Sequence, residues 1–335
     1  MKTRFRLPFQ ISNPKFPVLA ALCLATLSAS HAEPLNLVQT IPLPGVRGRF
    51  DHFSIDAKGK RLFVAALGNN TVEVIDLADG KRIHSISGMS KPQGVLFLAN
   101  HNELFVADGD DGTVKVLDAT DFQVKHKVTE MPDADNVRLD PHTGEVWAGY
   151  GDGALARILV GSHKGTIKLA GHPESFQIEK HGRRVFVNVP DAKQIAVVDT
   201  RKDSVVTTWP MQNFQANFPM ALDEPNHRLF VGCRRPARLI IFDTEAGKPV
   251  ADLAISGDTD DLFYDDKRKR IYIACGEGFI DVVEQSSADN YQRVAKIPTA
   301  AGARTCFFSP DQDRLYLAVP NRGNQKAEIR IYQPE

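Results

Sequence analysis

Short runs of apolar residues recur along the chain from about residue 35 to its end, some alternating with polar residues and some continuous. The clearest run opens on a charged residue and continues through aliphatic and aromatic side chains. Its copies are RLFVAA from Arg61, ELFVAD from Glu103, EVWAGY from Glu145, RVFVNV from Arg184, RLFVGC from Arg228, RIYIAC from Arg270 and RLYLAV from Arg314, with starts separated by 42, 42, 39, 44, 42 and 44 residues. A second β-rich run follows each copy, from VEVIDL at Val72 to IRIYQP at Ile329. A third precedes each copy, as in FSID, VRLD and LFYD, and a weaker fourth follows, as in RIHSI from Arg82 and VVTTW from Val205. No segment sustains helical periodicity. Four strands in about 42 residues, seven times over, predict an all-β chain: a seven-bladed β-propeller of four-stranded blades. The seventh copy ends with no room for a fourth strand, while LNLVQTIPL, Leu35 to Leu43, belongs to no unit. That N-terminal strand is expected to complete the last blade, closing the ring and removing the exposed edges of an open sheet array.

Four of the second runs carry Asp at the fifth position: Asp76, Asp118, Asp199 and Asp243. An Asp there is expected to accept backbone N–H groups of the following turn.

Composition changes the picture at the N-terminus. Lys2, Arg4, Arg6 and Lys15 flank a short apolar segment, 18–27, and Ser30 and Ala32 supply small residues before Glu33. This is the pattern of a secretory signal peptide over residues 1–32, too short in its apolar part to span a bilayer. A lipid anchor at Cys23 is the rival reading, disfavoured by the bulky Leu22 before it. The expected mature chain, 33–335, is a single propeller domain, periplasmic or secreted, and a monomer. The whole chain has 41 basic and 41 acidic side chains; without residues 1–32 it has 37 basic against 41 acidic, a net charge of −4. That balance argues against a nucleic-acid partner. Cys233, Cys275 and Cys306 form no CxxC or CxxCH motif, and are expected as small buried hydrophobes.

With the LFVA, VFVN and LYLA strands, the NNTVEVIDL run and the repeat length, the sequence resembles the YVTN-type, YncE-like family of exported bacterial β-propellers over essentially the whole mature chain. By resemblance to other propellers, the first strand of each blade lines a central channel. The loops entering those strands then gather at one mouth.

His52, Gly94, Asn136, Ser175, Pro219, Asp261 and Thr305 each lie nine residues before their RLFV-like run, and Asp51, Gln93, Asp135, Glu174, Phe218, Asp260 and Arg304 stand one place earlier. The candidate ligand-binding residues of the mouth are therefore Asp51, His52, Gln93, Asp135, Asn136, Glu174, Asp260, Asp261 and Arg304. Crowded carboxylates need compensation, from Arg304, from Arg49 or from a single divalent cation (Ca²⁺, Mg²⁺, Mn²⁺ or, with His52, Zn²⁺). Related propeller lactonases and lyases hold a metal in this place, and His52, Asn136, Glu174 and Asp261 resemble their ligand sets. The expected function is binding of a small molecule or a protein or peptide partner. The alternative is a divalent-metal-dependent hydrolase or lyase, with Asp51, Asp135 or Asp260 as general base and Arg304 steadying negative charge. Elsewhere, the acidic run Asp108-Gly109-Asp110-Asp111-Gly112 lacks the rest of an EF-hand and reads as a turn, and Arg234 and Arg235 read as a solvated loop.

Overall fold

The computed structural model describes residues 1–8, 10 and 33–335. The apolar segment 18–27 and the expected cleavage site after residue 32 lie outside the described residues. From residue 33 onward the chain folds into seven antiparallel four-stranded sheets. Among the described residues, the one helical element is a single 3₁₀ turn, Leu67–Asn69. The first complete blade runs Phe53–Asp56, Arg61–Ala66, Thr71–Asp76 and Lys81–Ile86, from the innermost strand outward. The next five blades repeat that order. The seventh takes its outer strand from the other end of the chain: Leu35–Pro42 pairs antiparallel with Glu328–Pro334. Leu43 falls just past that strand, and its N–H donates to the Ala327 carbonyl at 2.9 Å.

Burial explains the pattern. The second strands are almost wholly buried after their opening charge, as in Arg61–Ala66, because both faces pack against neighbouring blades. The outer strands are largely exposed, as in Lys81–Ile86. Each apolar cluster bridges two blades; one joins Phe63, Ala65 and Val74 of the first to Val95, Leu104 and Val106 of the second. In all seven blades the pairing of third and fourth strands slips register, as between Val74 and Ile75. Such bulges add the local twist that a propeller blade needs.

The turns are locked as their residues anticipate. Asp76, Asp118, Asp199 and Asp243 accept backbone N–H groups of the turns that follow them. Asp56 and Glu179 pair with the Arg61 and Arg184 that open the next strand. Cys233, Cys275 and Cys306 are buried and free.

Candidate functional site

The seven innermost strands surround the channel, and the residues that enter them are fixed by backbone hydrogen bonds in two directions. Toward their own blade, the N–H groups of Asp51, Asp135 and Glu174 donate to the carbonyls of Ala65, Gly149 and Asn188. Toward the next blade, the N–H groups of His52, Ser175 and Asp261 donate to the carbonyls of Gln93, Phe218 and Arg304. Gly94 is required by this closeness, since a Cβ there would lie 2.1 Å from the Asp135 carbonyl oxygen. The mouth is thus a rigid frame.

The side chains enclose a polar cavity of about 210 Å³. Asp51, His52, Gln93, Asp135, Asn136, Glu174, Asp260 and Arg304 all line it. Asp261 does not: its Oδ2 accepts the Cys306 N–H at 2.9 Å and it faces the channel below. Lys91, Asp133, His172 and Arg234 join the lining.

His52 stands at the centre. Its Nε2 lies 3.5 Å from Asp51 Oδ1 and 3.7 Å from Asp135 Oδ1, and its Nδ1 lies 3.4 Å from Asp261 Oδ1. Burial opposes a charge on the ring, but the three carboxylates overcome it and push His52 up to about 10. His172 Nδ1–H donates to the Gly151 carbonyl at 2.7 Å and sets its Nε2 3.9 Å from Asp135 Oδ2. Burial works against its charge too, and Asp135 and the Gly151 carbonyl outweigh it, raising it well above an ordinary imidazole.

The acids respond in kind. Burial raises Asp51, against the nearby His52 and with help from Asp135 and Asp260. Burial also raises Glu174, with Asp135 and Asp260 adding to it and His172 opposing. Asp260 is raised by burial against two guanidinium groups: Arg304 Nε lies 2.8 Å from its Oδ2, and Arg234 pairs with its Oδ1. Arg234 is not a solvated loop residue. It also donates to the Thr259 carbonyl at 2.7 Å and lies over the Phe218 ring at 3.9 Å.

Two acceptors are left over. Asp135 Oδ1 and Asn136 Oδ1 are buried without a hydrogen-bond partner among the described residues, in side chains of residues 8% and 1% exposed. A buried carboxylate oxygen without a donor is costly. Among the described residues, the donor atoms of Asp51, His52 and Asp135 are the group that could close on one metal ion, all within 4.8 Å of one another. Of the four residues resembling a lactonase set, His52 belongs to this group. Asn136 and Glu174 lie in the same cavity, and Asp261 approaches His52 from below.

The fold and this site define the class: a seven-bladed β-propeller of four-stranded blades with a charged channel mouth. No family model matches the chain, and no curated protein matches it, so the YVTN-type likeness stands as a resemblance. Among solved structures the chain is similar to the hydrazine synthase of Kuenenia stuttgartiensis, with a TM-score of 0.71, 17% identity, and 85% of this chain and 98% of that one covered. It is also similar to a chain of the mitotic checkpoint complex, with a TM-score of 0.75, 14% identity, and 99% of both chains covered. Identities this low establish the shared fold and carry nothing about activity.

Proposed function

We propose that this protein is an exported binding propeller that takes its ligand at the channel mouth, and that the centre of that site is a divalent transition-metal ion held by Asp51, His52 and Asp135. The observation that carries this reading is the convergence of three donors around the unpartnered, buried Asp135 Oδ1. His52 Nε2 lies 3.5 and 3.7 Å from the two carboxylate oxygens. Ligands of a tetrahedral ion with bonds of about 2.1 Å stand about 3.4 Å apart. Mixed nitrogen and oxygen donors suit Zn²⁺ or Mn²⁺; Ca²⁺ asks for six to eight oxygens, more than this group supplies. Without the ion, a proton on His52 balances the acids; the ion would displace it.

The test is calorimetric titration of Zn²⁺ and Mn²⁺ into the chain 33–335, beside D51N and D135N. The reading expects a saturable site in the wild type, weakened at least ~10-fold in either variant. Equal affinity in D135N, or no saturable binding, would sink it. Export is checked separately: the intact mass of protein recovered from the periplasm should correspond to a chain beginning at Glu33, and recovery with residues 1–32 attached would contradict it.

A further inference from the structure

Below His52 the channel widens into a second cavity of about 580 Å³, reaching outward to the exposed Lys180, His181 and Pro225. Its wall is set by the two-residue period of a strand: residues two places after each ring position face the same way. In six blades this position holds Ser54, Leu96, Gln177, Ala221, Phe263 and Phe307, and all six line the cavity. None carries a charge; Ser54 Oγ accepts the Phe97 N–H and Gln177 Nε2 donates to the Met220 carbonyl. The remaining blade places Arg138 there.

Among the described residues, Arg138 has no ion-pair partner. No carboxylate oxygen of the described residues lies within 4.0 Å of its nitrogens. Its Nη1 donates to the Val137 carbonyl at 2.9 Å. Among the described residues, the rest of its five N–H donors have no protein partner. The guanidinium carbon lies 5.8 Å from the centre of the Phe176 ring. Burial pulls its pKa down, and Asp261 and Asp135 oppose this only through space. Asp261 is already engaged, with Oδ2 on the Cys306 N–H and Oδ1 facing His52. A permanent cation therefore lines the cavity beside apolar side chains such as Leu96, Phe263 and Phe307, in a wall that also holds the carboxylates Asp223, Glu224, Asp261 and Asp266.

We infer that this lower channel is a binding site for a small monocarboxylate with an aromatic or aliphatic body, its carboxylate on Arg138 and its body against Leu96, Phe263 and Phe307. The charge fixes the class. A planar guanidinium matches one carboxylate in a two-pronged contact. Lys180 and His181 lie at the exposed outer end of the cavity, and the four carboxylates Asp223, Glu224, Asp261 and Asp266 in its lining disfavour a doubly charged phosphate more than a single carboxylate. The volume lies within the ~300–1,000 Å³ of small-molecule sites. Phe263 and Phe307 meet edge to face at 5.6 Å and form an aromatic wall. This inference stands apart from the mouth, because Arg138 is not among the cation's ligands.

The experiment titrates 4-phenylbutyrate, octanoate and the uncharged 4-phenylbutyramide into the chain 33–335 and into R138M and R138K. At least one of the acids should bind the wild type saturably. R138M should weaken it at least ~10-fold, with R138K between. The amide should bind the wild type and R138M alike. R138M should melt no lower than the wild type, since no ion pair is lost, and should keep the wild-type response to Zn²⁺ and Mn²⁺. The proposal is overturned if neither acid binds by about 10 mM, a limit weaker than ~3 kcal/mol of binding. Unchanged acid affinity in R138M, or equal loss of acid and amide, would overturn it as well. A large fall in melting temperature would make Arg138 a structural residue and end the proposal too.

Discussion

Replacing Ile41 by Ala tests how the ring is closed. Ile41 sits on Leu35–Pro42, directly opposite Ile329 of the last blade. It is fully buried, in a cluster that joins Ile329, Ile331 and Tyr316 of the seventh blade to Val64, Ala66 and Ile75 of the first. The substitution removes three carbons, worth about 2.4 kcal/mol at ~0.8 kcal/mol for each buried methylene. Strands of two blades hold the walls of the resulting void, so collapse is limited and the cavity contribution adds to this. The expected loss is about 3–4 kcal/mol, within the ~2–5 kcal/mol range of such truncations. Val38, three residues away on the same strand, is 53% exposed, so V38A is the control and should change stability by less than ~0.5 kcal/mol. Urea unfolding followed by circular dichroism measures both, with the slope checked for constancy. A loss in I41A within ~1 kcal/mol of that in V38A would refute the claim that the N-terminal strand is an integral part of the last blade.

Two further outcomes follow from buried and bridging charges. Lys115 is paired with the fully buried Asp108 and is itself 7% exposed at its side chain; K115M should cost ~3–5 kcal/mol by stranding that acid. The double variant D108N/K115M should recover most of the loss in the same unfolding assay, and a K115M cost below ~1 kcal/mol would contradict the account. Arg268 binds Asp313 through both terminal nitrogens at 2.6 and 2.8 Å, and also reaches Asp265 and the Pro334 carbonyl, tying the sixth blade to the seventh. The hydrogen bonds from Arg268, with Lys267 helping, hold the Asp313 carboxyl down to about 2 against the opposing effect of burial. A carboxyl whose folded pKa lies below its unfolded value, ~3.9, stabilises fully above that value and ceases to do so as pH falls through the folded one. D313N should therefore flatten the stability profile between about pH 4 and pH 2, by no more than ~1 kcal/mol because the pair is partly exposed. An unchanged profile would contradict the pairing.

The blades were legible because each strand carries its own signal. Buried second strands read as RLFV-like runs, turn acids as Asp at a fixed place, and the missing outer strand of the seventh blade as Leu35 to Leu43. The constant nine-residue offset also picked out a ring, since a fixed hairpin length puts equivalent residues at equivalent heights. What it could not supply was the direction of each side chain at the mouth. Asp51 and Asp135 crowd His52, whereas Asp261 turns down onto the Cys306 N–H. His172 went unread because it precedes its ring position by three residues, and its approach to Asp135 depends on the Gly151 carbonyl of the neighbouring blade. Arg234 reaches the mouth from the end of a second strand, Arg228–Arg235, and its partner Asp260 is 26 residues distant in sequence. Arg138 did leave a trace: strand alternation puts it on the channel face, and none of the other six copies carries a charge there.

The most direct test of the central claim is elemental analysis of the purified chain 33–335, before and after dialysis against metal-free buffer. The account predicts about one transition-metal ion per chain, regained on exposure to Zn²⁺ or Mn²⁺ and absent from D51N and D135N alike. A wild-type protein that neither retains nor takes up such an ion, or variants that hold it as the wild type does, would contradict it.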